Sequence, residues 1–395
     1  MKLLFPTPVV YDGNDARYLA RDGARFADYL SRTGHEGLKV ILAPNETGAK
    51  PTAPLLSMGS FNQWCDSAYW ESFNANGALC YFGLASNRFL PVVRAMKDAG
   101  LRLALKMDSP TGVSRWHIPT MLDFSKSYWY YRERFSQWKS LFLTSGALFR
   151  RMLFRQPRSL LSFLESFDYI TAESPLAVNN TMAWCRRNRC PDLAHKVGFL
   201  PHPVPDTFGP PSGSQKKQPI VLAVALDWDN PRKGGSLAAE ALRKFLGNHP
   251  NWAAHIIGKN SAKLAESSGP RVSYFNEMPS NQILSLYQSA SIFFTPSGSE
   301  GNPNAVFEAA CCGCSIVFPP HLEQLSWTCD AGMGTMAKAR TISALAAAIE
   351  VEAIRWEQNP YRTEDGTFPP LTVSKVSQEL MNALFSEKTK GRCHG

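Results

Sequence analysis

Apolar runs at 2–5, 38–42, 78–84, 101–107 and 167–172 have the length and composition of buried strands. Stretches of helical period lie between them. Residues 14–33 carry Leu19, Ala20, Phe26, Ala27 and Leu30 at helical spacing and stop at Gly34, and 87–99 stop at Gly100. Residues 43–77 show no period and read as loops, whereas 120–165 is helical by pattern. A breaker-rich stretch from Pro201 to Ser214 interrupts the alternation, as a linker does. Beyond it, strands are predicted at 220–226, 254–257, 272–275, 292–295 and 315–318, with helices at 235–247, 280–289 and 303–312. One more helix is predicted at 373–386, after Pro369-Pro370. Alternating strands and helices mean parallel sheets wrapped by helices, the α/β class. The pattern divides the chain into units at 1–203 and 204–360 and a tail, 361–395, with one helix. Two such units joined by one linker leave a cleft suited to a ligand.

Length supports two cores, since 395 residues exceed what one ordinary core holds. With 44% hydrophobic and 19% charged residues, the chain has no disorder signature. Its nine cysteines are odd in number and sit mostly in apolar stretches, as reduced thiols inside a cell do. Cys311-Cys312-x-Cys314 has no partner group at structural-zinc spacing and reads as core packing. The opening Met1-Lys2-Leu3-Leu4-Phe5 is a strand-length run stopped by Pro6 and Pro8, not a signal peptide. No apolar stretch reaches the ~20 residues that span a bilayer. The expected location is the cytoplasm, free or peripheral on the inner face of the membrane.

The net charge of +9 is uneven. Between residues 126 and 158, Lys126, Arg132, Arg134, Lys139, Arg150, Arg151, Arg155 and Arg158 face only Glu133 and alternate with aromatic and aliphatic residues. Such a segment suits an anionic membrane surface or nucleic acid, and equally a pair of ordinary helices with solvated cations.

Candidate chemistry gathers at two strand-to-helix turns. Residues 291–295 form a strand, and 297–302 lead into a helix near Pro303. Amides at a helix start attract phosphate. Glu300 stands in that loop, where it can grip sugar hydroxyls or merely cap the helix. Glu308, about two turns into the helix, can reach ribose hydroxyls or point to solvent. At the other turn, Asp227-Trp228-Asp229-Asn230-Pro231-Arg232-Lys233-Gly234 follows a strand, and Lys233 is well placed to neutralise a diphosphate leaving group.

Glu300-x7-Glu308, followed by Ala309-Ala310-Cys311-Cys312-Gly313 and a strand, resembles the signature of family 4 (group 1) retaining glycosyltransferases. The resemblance implies the GT-B fold: two Rossmann-like domains with an interdomain cleft, the first binding acceptor and the second the nucleotide sugar. Carried over, Glu300 contacts the donor sugar and Glu308 the ribose, while the backbone of Gly301, Asn302, Pro303 and Asn304 lines the sugar and diphosphate. Lys233-Gly234 matches the family's Lys-Gly. The Arg that precedes it in the family is replaced by Ala225-Leu226-Asp227-Trp228, and Arg232 is the substitute. Met278 falls in the nucleotide-base loop, and Gly13 is the candidate for the glycine of the first loop. The family's His after an inner N-terminal strand is missing; Asp108 stands near its place as the candidate acceptor-side residue. The resemblance covers 165–355 well and the N-terminal part loosely.

Its implication is a metal-independent, hexosyltransferase-like enzyme that needs no cofactor beyond a nucleotide-diphosphate sugar. The acceptor is a glycan or lipid-linked sugar, as in polysaccharide biosynthesis. Asp227-x-Asp229 looks like the metal site of another glycosyltransferase fold but precedes a Lys-Gly turn, and reads as turn and cap residues. Three alternatives stay open: transfer to modified nucleic acid, a nucleotide-sugar epimerase of the same fold, and a non-catalytic sugar-nucleotide-binding protein.

Overall fold

The computed structural model describes the chain except residues 12–14, 16–21, 44–50, 83–86, 108, 110–111, 114–123, 125–127, 129–130, 133–134, 155–156, 212–216, 266–268, 301–302, 360–370 and 386–395. It separates into two compact units, one formed by Met1–Trp116, Arg155–Pro205 and Pro370–Gly395, the other by His117–Phe154 and Asp206–Pro369.

The first unit holds seven strands: β1 (Lys2–Val10), β2 (Glu36–Leu42), β3 (Leu56–Gly59), β4 (Gly77–Cys80), β5 (Arg102–Met107), β6 (Tyr169–Ala172) and β7 (Val197–Phe199). They pair in parallel in the order β3-β2-β1-β4-β5-β6-β7. Because side chains alternate across a strand, β1 packs two cores. Leu3 and Phe5 meet Phe26 and Leu30 of helix Asp22–Arg32 and Val376 and Leu380 of helix Val373–Phe385. Leu4 faces the opposite layer with Val40, Ala78, Leu103 and Leu105. The helix set apart as a tail by the sequence pattern is therefore half of one face's cover. It is tied to the stretch at Pro201–Pro205: Val204 bridges to Thr372, and Val373 N donates to the Val204 carbonyl at 2.7 Å.

Three features of this unit depart from the sequence reading. β1 runs past Pro6 and Pro8 instead of stopping there. The Pro6 carbonyl accepts from Tyr81 N at 2.9 Å, so the even positions of β1 face β4, whose register with β1 ends at Ala78. Pro6 and Pro8 offer no N–H toward β4, and the paired register ends just before them while the Pro6 carbonyl still accepts from Tyr81. Residues 43–77 are not all loop: β3 is followed by helices Phe61–Trp64 and Ser67–Glu71. Ser60 and Gln63 close a capping box on the first of these. Trp64 and Trp70 are both fully buried, and Trp70 Nε1 donates to the Trp64 carbonyl at 2.7 Å. Helix Pro175–Arg187, which Ser174 caps, was not foreseen.

The second unit repeats the plan with β8 (Gln218–Asp227), β9 (Ala253–Lys259), β10 (Val272–Phe275), β11 (Ala290–Phe294), β12 (Ser315–Phe318) and β13 (Gly334–Met336). These strands are parallel in the order β10-β9-β8-β11-β12-β13. The predicted helices appear at Gly235–Asn248, Ser280–Ser289 and Asn304–Cys311. β13 and helix Ile342–Gln358 add to the prediction; Leu345 and Ile349 of that helix share a core with Ala238, Leu242 and Phe245. In both sheets the first strand in sequence lies inside the sheet, with its second and third to one side and its fourth to the other. A reversal of that kind opens a crevice at the carboxyl ends of the two central strands. In the second unit those strands are β8 and β11.

Candidate functional site

Both turns singled out in the sequence lie at that crevice. The turn after β8 is rigid for local reasons. Trp228 is buried, its Nε1 donating to the Ile257 carbonyl at 2.9 Å. Asn230 Oδ1 accepts from Arg232 N at 3.0 Å, and Gly234 takes a left-handed conformation, φ 70°, that starts helix Gly235–Asn248. The loop after β11 is polar yet enclosed: Ser297, Ser299 and Glu300 are all buried. Gly298 N donates to the Arg232 carbonyl at 2.8 Å, which stitches the two loops together.

Across that seam Lys233 Nζ bonds Glu300 Oε1 at 2.5 Å. Glu300 is 7% exposed, and its backbone carbonyl accepts from buried Gln324 at 3.2 Å. The ion pair offsets the cost of burying the two charges. Asn304 opens helix Asn304–Cys311 behind Pro303, and among the described residues no side chain caps that helix start. The Asn304 side-chain carbonyl is buried with no hydrogen-bond partner among the described residues. One turn on, half-buried Glu308 meets the Tyr287 hydroxyl at 3.5 Å. Tyr287 is fully buried, and burial first, then the Glu308 charge, pushes its phenol well above the usual range. It stays a neutral donor.

The structure thus gathers Arg232, Lys233, Glu300, Pro303, Asn304 and Glu308 around one crevice. Met278, half-buried after β10, lies on the same edge of the sheet on the far side of β9. Gly13, Asp108, Gly301 and Asn302 lie outside the described residues. Asp227 and Asp229 act as turn residues. Asp227 Oδ1 accepts from Asn260 Nδ2 at 2.8 Å and from Asp229 N at 3.0 Å, which hold its carboxyl below the usual range. Asp229 pairs with Lys263. Among the described residues no cluster of three potential metal ligands occurs. Cys312 and Cys314 are buried free thiols, pushed up in pKa by burial. Tyr287, Gln324 and Arg340 are not picked out by the sequence; each lies on a helix or turn outside the motifs.

Comparison with known proteins follows the same division. Residues 206–355 match the family model described as Glycosyl transferases group 1. No curated protein matches the sequence. Among solved structures, the chain is similar to the apo form of the lipopolysaccharide outer core galactosyltransferase WaaB, 14% identical over 98% of this chain and 99% of that one, TM-score 0.57. It is similar to a glycosyltransferase from Rickettsia africae, 12% identical over 99% of each chain, TM-score 0.56. A third is WaaG, a glycosyltransferase involved in lipopolysaccharide biosynthesis, 13% identical over 97% of this chain and 100% of that one, TM-score 0.53. At such identities the likeness establishes the fold. Residues 206–355 of the chain are thus similar to the glycosyl transferases group 1 family, and the chain as a whole has the GT-B fold.

Proposed function

We propose that this protein is a retaining, hexosyltransferase-like enzyme that moves a sugar from a nucleotide-diphosphate donor to a glycan or lipid-linked acceptor. One observation carries the reading: the Lys233–Glu300 pair joins the loops after β8 and β11, beside the start of helix Asn304–Cys311 and Glu308. The donor's C1–O bond breaks toward the diphosphate. Lys233, Arg232 and the helix-start amides stabilise the charge that develops there. Glu300 and the Asn304 carbonyl hold sugar hydroxyls, and Glu308 holds the ribose. The acceptor oxygen attacks from the face that the diphosphate leaves, so configuration at C1 is kept. Lys233 and the amides take the part a divalent ion plays elsewhere, and the turn bonds of Asp227 favour a metal-free site.

The reading is tested by incubating the purified protein with a panel of nucleotide sugars and acceptors, with products analysed by mass spectrometry and anomeric NMR. Transfer with retention is expected. Inversion sinks the proposed course, and interconversion of the donor without acceptor identifies an epimerase instead.

The acceptor's surroundings are read from helix Gln137–Phe154. Trp138 and Phe142, one turn apart, are 81% and 79% exposed, whereas Ser140 and Thr144 are buried. Lys139 lies 4.6 Å over the exposed Phe135 ring. A helix that turns its aromatics outward beside cations suits shallow insertion into an anionic leaflet. No described helix is long and apolar enough to cross a membrane. Co-sedimentation with phosphatidylglycerol vesicles, lost in Trp138→Ser/Phe142→Ser, is the expected result. A gel shift with DNA in its place would favour a nucleic-acid acceptor.

A further inference from the structure

The Lys233–Glu300 pair raises a question of charge. Together the two side chains are neutral, yet a departing nucleoside diphosphate carries at least two negative charges. Arg232 sits beside Lys233, but its backbone is taken up in the turn, with its N–H on Asn230 and its carbonyl on Gly298. A further cation reaches the same place from a distant part of the sequence. Arg340 lies between β13, at the edge of the sheet, and the Thr341 cap of helix Ile342–Gln358. Its side chain extends past the end of β12 to the central crevice. Nε donates to the Pro296 carbonyl, in the loop after β11, at 2.7 Å. That bond fixes the plane of the guanidinium against Gly234. A Cβ added at Gly234 would meet Arg340 Nη2 at 2.6 Å and Cζ at 3.6 Å.

We propose that Arg340 binds the donor's diphosphate, as a further cation of the site beside Lys233 and Arg232. The proposal rests on the reading of this crevice as the nucleotide-sugar site. A guanidinium seated at the junction of the Lys233-Gly234 turn and the Pro296–Glu300 loop meets a diphosphate lying at the start of helix Asn304–Cys311. Its planar fork can hold two phosphate oxygens at once, which an ammonium cannot. The surroundings agree. Burial lowers the pKa of Arg340 from its usual value, and a guanidinium remains charged there. Burial first, and then the Arg340 charge, lowers the pKa of His321 in the turn after β12. Gly234 acquires a second purpose: besides its positive φ, it leaves the room that the guanidinium fills. A merely structural Arg340 would clamp Pro296 and be indifferent to phosphate number.

Phosphate number supplies the test. Calorimetric titration of the full chain with UDP, GDP and ADP identifies the diphosphate that binds, and its own monophosphate serves as control. Arg340→Gln should weaken diphosphate binding about 10-fold or more, the scale of lost hydrogen bonds to a charged group, and shift monophosphate binding less than about threefold. Arg340→Lys, which keeps charge but not the fork, should fall between, and it is the readout if the Gln variant does not fold. Equal losses for the two ligands, or no loss in folded protein, overturn the proposal. Lys233→Ala and Glu308→Gln run in parallel. If they weaken binding and Arg340→Gln does not, the crevice is the donor site and Arg340 is no part of it. If the wild type binds none of the three diphosphates, the donor-site reading fails and takes Arg340 with it.

Discussion

The two units share a sheet order but are stabilised and specialised by different means. The first fills space with large rings: Trp64, Trp70, Phe82 and Phe89 are all buried in one layer, and Phe82 stacks on Phe89 with ring centroids 4.6 Å apart. Both units bring backbones close together at glycines, as at Gly37 against Ala27 in the first, but the second also spends its polar residues in two loops. Gly258, with φ 131°, has its Cα so near β8 that an added Cβ would lie 1.7 Å from the Ala225 carbonyl oxygen. Trp228 then bonds the neighbouring Ile257 carbonyl, and the turn carrying Lys233 follows. A core of rings tolerates new loops around it, whereas a site built on close backbone approach fixes sequence as well as shape.

The sharpest break of that contrast is Gly258→Ala. The obstruction is backbone and the φ is wrong for a side chain, so the cost should exceed ~4 kcal/mol and the variant should lose its cooperative unfolding transition. Denaturant melts followed by Trp fluorescence measure it; a stable, wild-type-like melt would show that backbone approach does not govern the second unit. Next comes the aromatic layer. Trp70→Ala empties a fully enclosed site and removes the bond to Trp64, and should cost about 3–5 kcal/mol. Nucleotide affinity in buffer should nevertheless stay unchanged, and a loss of binding in folded Trp70→Ala would mean the units are not so separate in purpose.

Glu300→Gln should lower turnover about 100-fold or more with little change in melting, because it removes a contact to the reacting sugar while keeping the side chain's shape. Steady-state rates near wild type would remove Glu300 from the site. A smaller effect is expected from Tyr287→Phe, which keeps the buried ring and loses only the hydroxyl that meets Glu308. Donor KM should rise roughly two- to tenfold at nearly constant kcat, as for one hydrogen bond; a fall in kcat alone would contradict this ribose-side role. The smallest effect expected is none: activity in EDTA should equal that in buffer, and loss restored by manganese would make Asp227 and Asp229 ligands.

Legibility in the sequence followed the same contrast. In the second unit, Lys233-Gly234 and Glu300-x7-Glu308 sit at turns whose geometry demands particular residues, so strands, helices and the crevice could all be read from them. In the first, Trp64 and Trp70 stabilise by volume, and volume has no period; four-residue elements such as Leu56–Gly59 and Phe61–Trp64 left only the Ser60–Gln63 cap as a signal. Pro6 and Pro8 misled because a proline's effect on a strand depends on which neighbour its missing donor faces. Arg340 was invisible for another reason: its partners Pro296 and Gly234 are 44 and about 100 positions away, and only the fold brings them together.

The helix Val373–Phe385 also imposes an order on biosynthesis. It covers Leu3 and Phe5 in the first strand of the chain, yet it leaves the ribosome only after the whole second unit has been made. At ~5–20 residues per second, the early sheet waits on the order of ten seconds or more with that apolar face half covered. The first unit therefore completes its fold last, while the second, contiguous from Asp206 to Pro369 apart from the 117–154 segment made before it, can close as soon as it emerges.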